Sequence, residues 1–135
     1  MRSESWILAG ALCVALSAAV SAQWGDGWTI PADAEKEKSP LTSSADVVKR
    51  GRGIFERSCQ KCHGPEGKGD GPNSDPRHPA ADLTSGSLLD QNPDGVLFYR
   101  IWNGKPPNMP AFKSQLSRDE IWTAVEYVKS LPPKP

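Results

Sequence analysis

Apolar positions recur at helical spacing in two well-separated stretches of the chain. Val47, Gly51, Ile54, Phe55 and Ser58 fall at i, i+4, i+7, i+8 and i+11, which predicts a helix capped by Ser43 or Ser44 and running to about Arg57. Asp46 sits in its first turn, where the helix dipole favours an anion. Ile121, Ala124, Val125 and Val128 share a face of a second amphipathic helix. Ser117-Arg118-Asp119-Glu120 reads as its capping box, and Pro132-Pro133 stop it. Between them, Asn92 as cap and Pro93 at the first position predict a helix through Phe98, Tyr99 and Ile101 to Asn103-Gly104. No stretch alternates apolar and polar residues long enough to predict a strand, and no repeat is present.

Two segments break these patterns. Gly64 to Pro79 carries four glycines and four prolines in sixteen residues, and Lys105 to Phe112 is proline-rich; both predict loops. From Gln23 to Ser43 the chain is polar and turn-rich, with a Glu35-Lys36-Glu37-Lys38 run suited to a solvated face. Trp24 and Trp28 stand out there, and two indoles in a polar arm are expected to dock on the domain.

The first residues are of another kind. Arg2 precedes an apolar run from Trp6 to Val20, and Val20-Ser21-Ala22 offers small residues before Gln23. That is the pattern of a secretory signal peptide over Met1–Ala22. The run is shorter than the roughly 20 residues that span a bilayer, so no membrane span is expected after cleavage. Export places the remainder in a bacterial periplasm. The organisation is then a signal over 1–22, an arm over 23–43 and a domain over 44–135.

Composition narrows the function. Among 135 residues, 16 Lys and Arg balance 16 Asp and Glu, which argues against a nucleic-acid surface. Three cysteines are too few for a disulfide scaffold. Cys13 lies within the apolar run, leaving Cys59 and Cys62.

Those two stand in Cys59-Gln60-Lys61-Cys62-His63. C-x-x-C-H is the attachment signature of c-type haem: each thiol adds to one vinyl group of a single macrocycle edge, and the histidine is held against the iron. A redox disulfide would want a βαβ pattern, which is absent. A zinc site would want a second ligand pair, and His78 is the sole other histidine. Met109, in Asn108-Met109-Pro110, is the one methionine beyond Met1. Either core filling or iron ligation suits a lone methionine in a rigid loop, and His78 is a second candidate for the sixth iron position.

The chain from about Val47 to Leu131 resembles a class I c-type cytochrome. The resemblance rests on Gly51-Arg52-Gly53-Ile54-Phe55, Cys59 to Gly64, Gly67 to Pro72, Ile101-Trp102-Asn103-Gly104, Met109-Pro110-Ala111-Phe112 and Ile121 to Leu131, in the family's order. It implies an all-α fold, three main helices and loops around one covalent haem c. It implies thioether links to Cys59 and Cys62 and axial ligation by His63 and Met109. It implies that Gly51 and Phe55 meet Ala124 and Tyr127 where the first and last helices cross. It also implies that a loop carbonyl accepts from His63; Pro79 is the best match and Pro76 its competitor. The function it implies is one-electron transfer between redox proteins, such as a dehydrogenase, oxidase or reductase, by a monomer that is itself no enzyme. From Glu56 to Lys113 seven basic residues oppose seven acidic ones, which predicts docking with little charge steering.

Overall fold

The computed structural model describes residues 27–133. The signal-peptide reading of 1–22 and the docking expectation for Trp24 lie outside them.

Among the described residues six helices follow one another: α1 Ala32–Lys36, α2 Ala45–Ser58, α3 Gln60–His63, α4 Gly86–Gln91, α5 Asp94–Asn103 and α6 Arg118–Ser130. Extended pairing among the described residues is limited to isolated bridges between Asp75 and His78 and between Lys105 and Met109. The fold is all-α.

The caps follow from side-chain chemistry. The Ser44 hydroxyl accepts from Val47 N–H at 3.3 Å, satisfying one orphan donor of the first turn of α2. At α6 the capping box is complete: Ser117 Oγ accepts from Glu120 N–H at 3.2 Å, and Glu120 Oε2 accepts from Ser117 N–H at 2.9 Å. Asn92 differs from expectation. Its amide reaches back to the Leu88 carbonyl at 2.6 Å and closes α4, so Pro93 takes the cap position of α5.

Helices α2 and α6 form the most extensive helix pairing. Gly51 makes it possible: a methyl there would run into the Thr123 carbonyl and come within 2.7 Å of Tyr127 Cβ. One turn on, the Phe55 and Tyr127 rings meet at 5.2 Å between centroids. Phe55, Ile121 and Val125 are fully buried.

A second cluster joins α5 and α6 through Leu97, Phe98, Phe112, Ile121, Trp122 and Val125. Phe98 stacks on Trp122 at 4.3 Å. Against this cluster lie Leu88, Leu89, Ile101, Trp102, Met109 and Leu116, each only half-buried.

Short helix α1, within the polar arm, packs on α5. Ala34 is buried, and Gly95 N–H donates to the Glu37 carbonyl at 3.1 Å. The arm is tied further by Ser39 N–H to Asp94 and by an Arg118–Glu37 ion pair at 3.0 Å.

Candidate functional site

Cys59 is the C-terminal cap of α2, and α3 carries Cys62 and His63 on the next turn. Cys62 and His63 N–H groups both donate to the Cys59 carbonyl, at 3.1 and 3.0 Å. One tight helical turn therefore gathers both thiols and the imidazole. All three side chains are half-buried, and the cysteines are unlinked thiols.

The glycine-rich loop holds this turn from outside. The carbonyls of Lys61, Cys62 and His63 accept in order from Asn73, Gly71 and Gly69 N–H groups at 2.8, 3.0 and 2.8 Å. These are the orphan acceptors of a helix end, satisfied by a neighbouring strand of loop. The approach is too close for side chains: a methyl on Gly71 would stand 2.5 Å from the Lys61 oxygen and 2.7 Å from Cys62 backbone. Gly69 has φ +78°, in the region open to glycine.

The same loop fixes the imidazole. His63 Nδ1 lies 3.0 Å from the Ala81 carbonyl oxygen. The acceptor is thus Ala81 and not Pro79, nor its competitor Pro76. The reason is in the anchoring of the segment. Ala80 N–H is held by the Ser74 hydroxyl at 3.0 Å, and Leu83 N–H by the Gly67 carbonyl at 2.7 Å. The Ala80 carbonyl packs against Gly69. The Ala81 carbonyl is the one between the two anchors that faces the ring, while Pro79 precedes them and is exposed. A backbone carbonyl leaves no mark in a sequence; only the glycines at 67 and 69, which admit close approach, hinted at this packing.

Electrostatics keep both groups uncharged near neutrality. Burial pushes the Cys59 thiol up to about 12, and the adjacent Cys62 adds to the rise. A redox-active C-x-x-C cysteine needs the opposite, a lowered value. Burial also lowers the His63 value, against a smaller upward pull from the Ala81 carbonyl. With Nδ1–H donating, Nε2 is left with its lone pair.

Met109 sits on a separate loop. Lys105 N–H donates to the Met109 carbonyl at 2.7 Å, and Met109 N–H to the Lys105 carbonyl at 3.0 Å. Phe112 N–H returns to the Ile101 carbonyl at 3.1 Å, so the loop closes on the end of α5. Met109 is half-buried against the α5–α6 cluster. His78 is exposed, in a turn where its N–H meets the Asp75 carbonyl at 3.0 Å.

These residues fit a haem. Two unlinked thiols and an oriented imidazole stand on one turn, and Leu88, Leu89, Ile101 and Met109 are half-buried apolar side chains packed against the α5–α6 cluster. Residues 46–128 match the cytochrome family described as cytochrome C oxidase, cbb3-type, subunit III. The chain belongs to this family of c-type cytochromes. It carries covalently bound haem c with its iron.

Solved structures share the fold. The chain is similar to a subunit of the Kuenenia stuttgartiensis reducing HAO-like protein complex Kustc0457/Kustc0458, at 35% identity and a TM-score of 0.58 over 69% of this chain. It spans 47% of that protein, about half its length. It shares its fold with cytochrome cL from the marine methylotroph Methylophaga aminisulfidivorans MPT, at 22% identity, a TM-score of 0.56 and coverage of 82% of this chain and 72% of that one. The KustC0563 c-type cytochrome shares it too, at 23% identity, a TM-score of 0.51 and coverage of 61% and 96%. No curated protein matches the chain. Among the described residues no helix is long and apolar enough to cross a membrane.

Proposed function

We propose that this cytochrome is a periplasmic one-electron carrier whose haem is bound through Cys59 and Cys62 and ligated by His63 and Met109. The observation that carries the reading is the single turn from Cys59 to His63, with His63 Nδ1 held by the Ala81 carbonyl. That hydrogen bond fixes the ring orientation and leaves Nε2 to bind iron. Haem c supplies a one-electron ferric–ferrous couple when bound. The residues supply the rest. His63 is held so that its nitrogen does not reorient between oxidation states. Met109, on a loop closed twice through Lys105, offers a soft thioether that favours the ferrous state and raises the potential relative to two nitrogen ligands. The half-buried apolar side chains keep water from the ring.

Residues 44–135 form the haem-carrying domain in this reading, 23–43 an arm, and 1–22 a leader that directs export. The partners are redox proteins, a dehydrogenase, oxidase or reductase, met by a monomer. Assembly of the Kuenenia stuttgartiensis relative in a redox protein complex supports a partner of that kind. Charges beside the motif are paired off locally, Lys68 with Glu66 and Arg77 with Asp75, which supports docking without a single-sign field.

Visible spectroscopy of the ferric holoprotein tests the ligation. The weak far-red band of thioether-to-iron charge transfer is expected in the parent and absent in Met109→Ala. A band that survives the substitution assigns the sixth position to another group, with His78 the next to replace.

A further inference from the structure

The arm does more than cover α5. Its anchors run the length of that helix. Glu37 and Ser39 bind at the Asp94–Gly95 end, and the arm then reaches the opposite end, where α5 passes into the Met109 loop. There the Trp28 ring lies under two cations. The Arg100 guanidinium is 5.2 Å and the Lys105 ammonium 5.9 Å from its centroid. The backbone beside it is as close: a methyl on Gly27 would stand 2.7 Å from Lys105 Nζ. Lys105 is also the residue whose backbone clasps Met109 through both of its hydrogen bonds.

We propose that Trp28 is a positioning residue for the sixth iron ligand. It holds Lys105 and Arg100, and through Lys105 it biases the Met109 loop toward its closed form. The inference rests on the reading of Met109 as ligand. An outside ligand binds the iron only in the fraction of molecules whose loop is open, so its apparent affinity reports the closing equilibrium. A cation–π contact absent from the open form deepens the closed one. The arm is then the reason a loop tied to the body at its two ends, and rich in proline, stays shut.

The test is imidazole titration of the ferric holoprotein, full chain, followed by loss of the far-red band. Trp28→Ala is expected to lower the apparent dissociation constant of imidazole about fivefold to tenfold, and to speed the limiting rate of binding by a similar factor. Trp28→Phe keeps a ring face and is expected to recover most of the parent affinity. Lys105→Met is expected to reproduce the Trp28→Ala shift, and the double variant to add little to either. Far-ultraviolet dichroism that matches the parent shows that the helices are intact; should Trp28→Ala fail to fold, Trp28→Phe and Lys105→Met carry the comparison. Unchanged imidazole affinity and rate in the folded variants overturn the proposal while leaving Met109 ligation standing. A parent without the far-red band overturns the ligation reading, and this proposal with it.

Discussion

The Nδ1 nitrogen of His63 and the carbonyl oxygen of Ala81 stand 3.0 Å apart across the loop that follows the haem motif. The bond depends on a residue that touches neither partner. Ser74 Oγ accepts from Ala80 N–H at 3.0 Å and sets the height of the segment. Ser74→Ala leaves that donor without its partner. A loss of about 1 kcal/mol of stability is expected. A weaker Ala81 contact makes His63 a poorer donor to ferric iron, so the midpoint potential is expected to rise. Thermal melts and a redox titration of the holoprotein measure both.

Gly71 lets the loop carbonyl-to-amide contacts form on the Cys62 turn. In Gly71→Ala the added methyl meets Lys61 and Cys62 backbone, which cannot move without opening the C-x-x-C-H turn. The expected outcome is a sharp drop in the fraction of expressed protein that carries haem, read as the ratio of haem absorbance to polypeptide. Parent-like loading would contradict the role given to this loop.

Gly51→Val is expected to destabilise by roughly 1–3 kcal/mol through overpacking at the α2–α6 crossing. Helix propensity alone predicts a change of the opposite sign, since glycine weakens a helix by about 1 kcal/mol against alanine. The contact with the rigid Thr123 carbonyl decides between them. Denaturant unfolding gives the sign directly.

How much of this was legible in the sequence differs from element to element. Ser43 or Ser44, of which the structure picks Ser44, and Ser117 declared α2 and α6 because a cap followed by a period of 3.6 is a local signal. So did Cys59 to His63, whose spacing is set by the geometry of one macrocycle. Helices α1 and α4, of five and six residues, were not legible. They are too short to display a period, and α1 is helical because Ala34 and Glu37 find a partner in Gly95. Asn92 carried the right cap chemistry for the wrong helix, since α4 claims its side chain first. Ala81 could not be chosen over Pro79, because the choice is made by the two backbone anchors at Ala80 and Leu83.

Acid should loosen the arm. Asp94 is partly buried, which raises its carboxyl value, but the hydrogen bond and charge of Lys129 and the Ser39 N–H outweigh this and leave it lowered. A carboxyl lowered on folding contributes stability above its unfolded value, near 3.9, that is lost as pH falls through the folded one. Melting temperature is therefore expected to drop below about pH 4, and to drop less in Asp94→Asn, which forfeits that contribution at neutral pH. The pair is still partly open to solvent, so the difference at neutrality should be no more than about 1 kcal/mol. Equal acid slopes in parent and variant would contradict the assignment.

Charge around the motif predicts the salt response. The bimolecular rate with the natural redox partner should change within a few-fold between about 20 and about 300 mM salt, a range over which screening shortens several-fold. A hundred-fold fall would reveal a charged docking face.

In the proposed function Cys59 and Cys62 hold one haem covalently. Intact mass of the holoprotein after acid–acetone extraction tests it most directly. A coloured polypeptide heavier than the bare chain by one haem is expected, with the added mass on the peptide containing Cys59 and Cys62. A colourless polypeptide at the mass of the bare chain would contradict it.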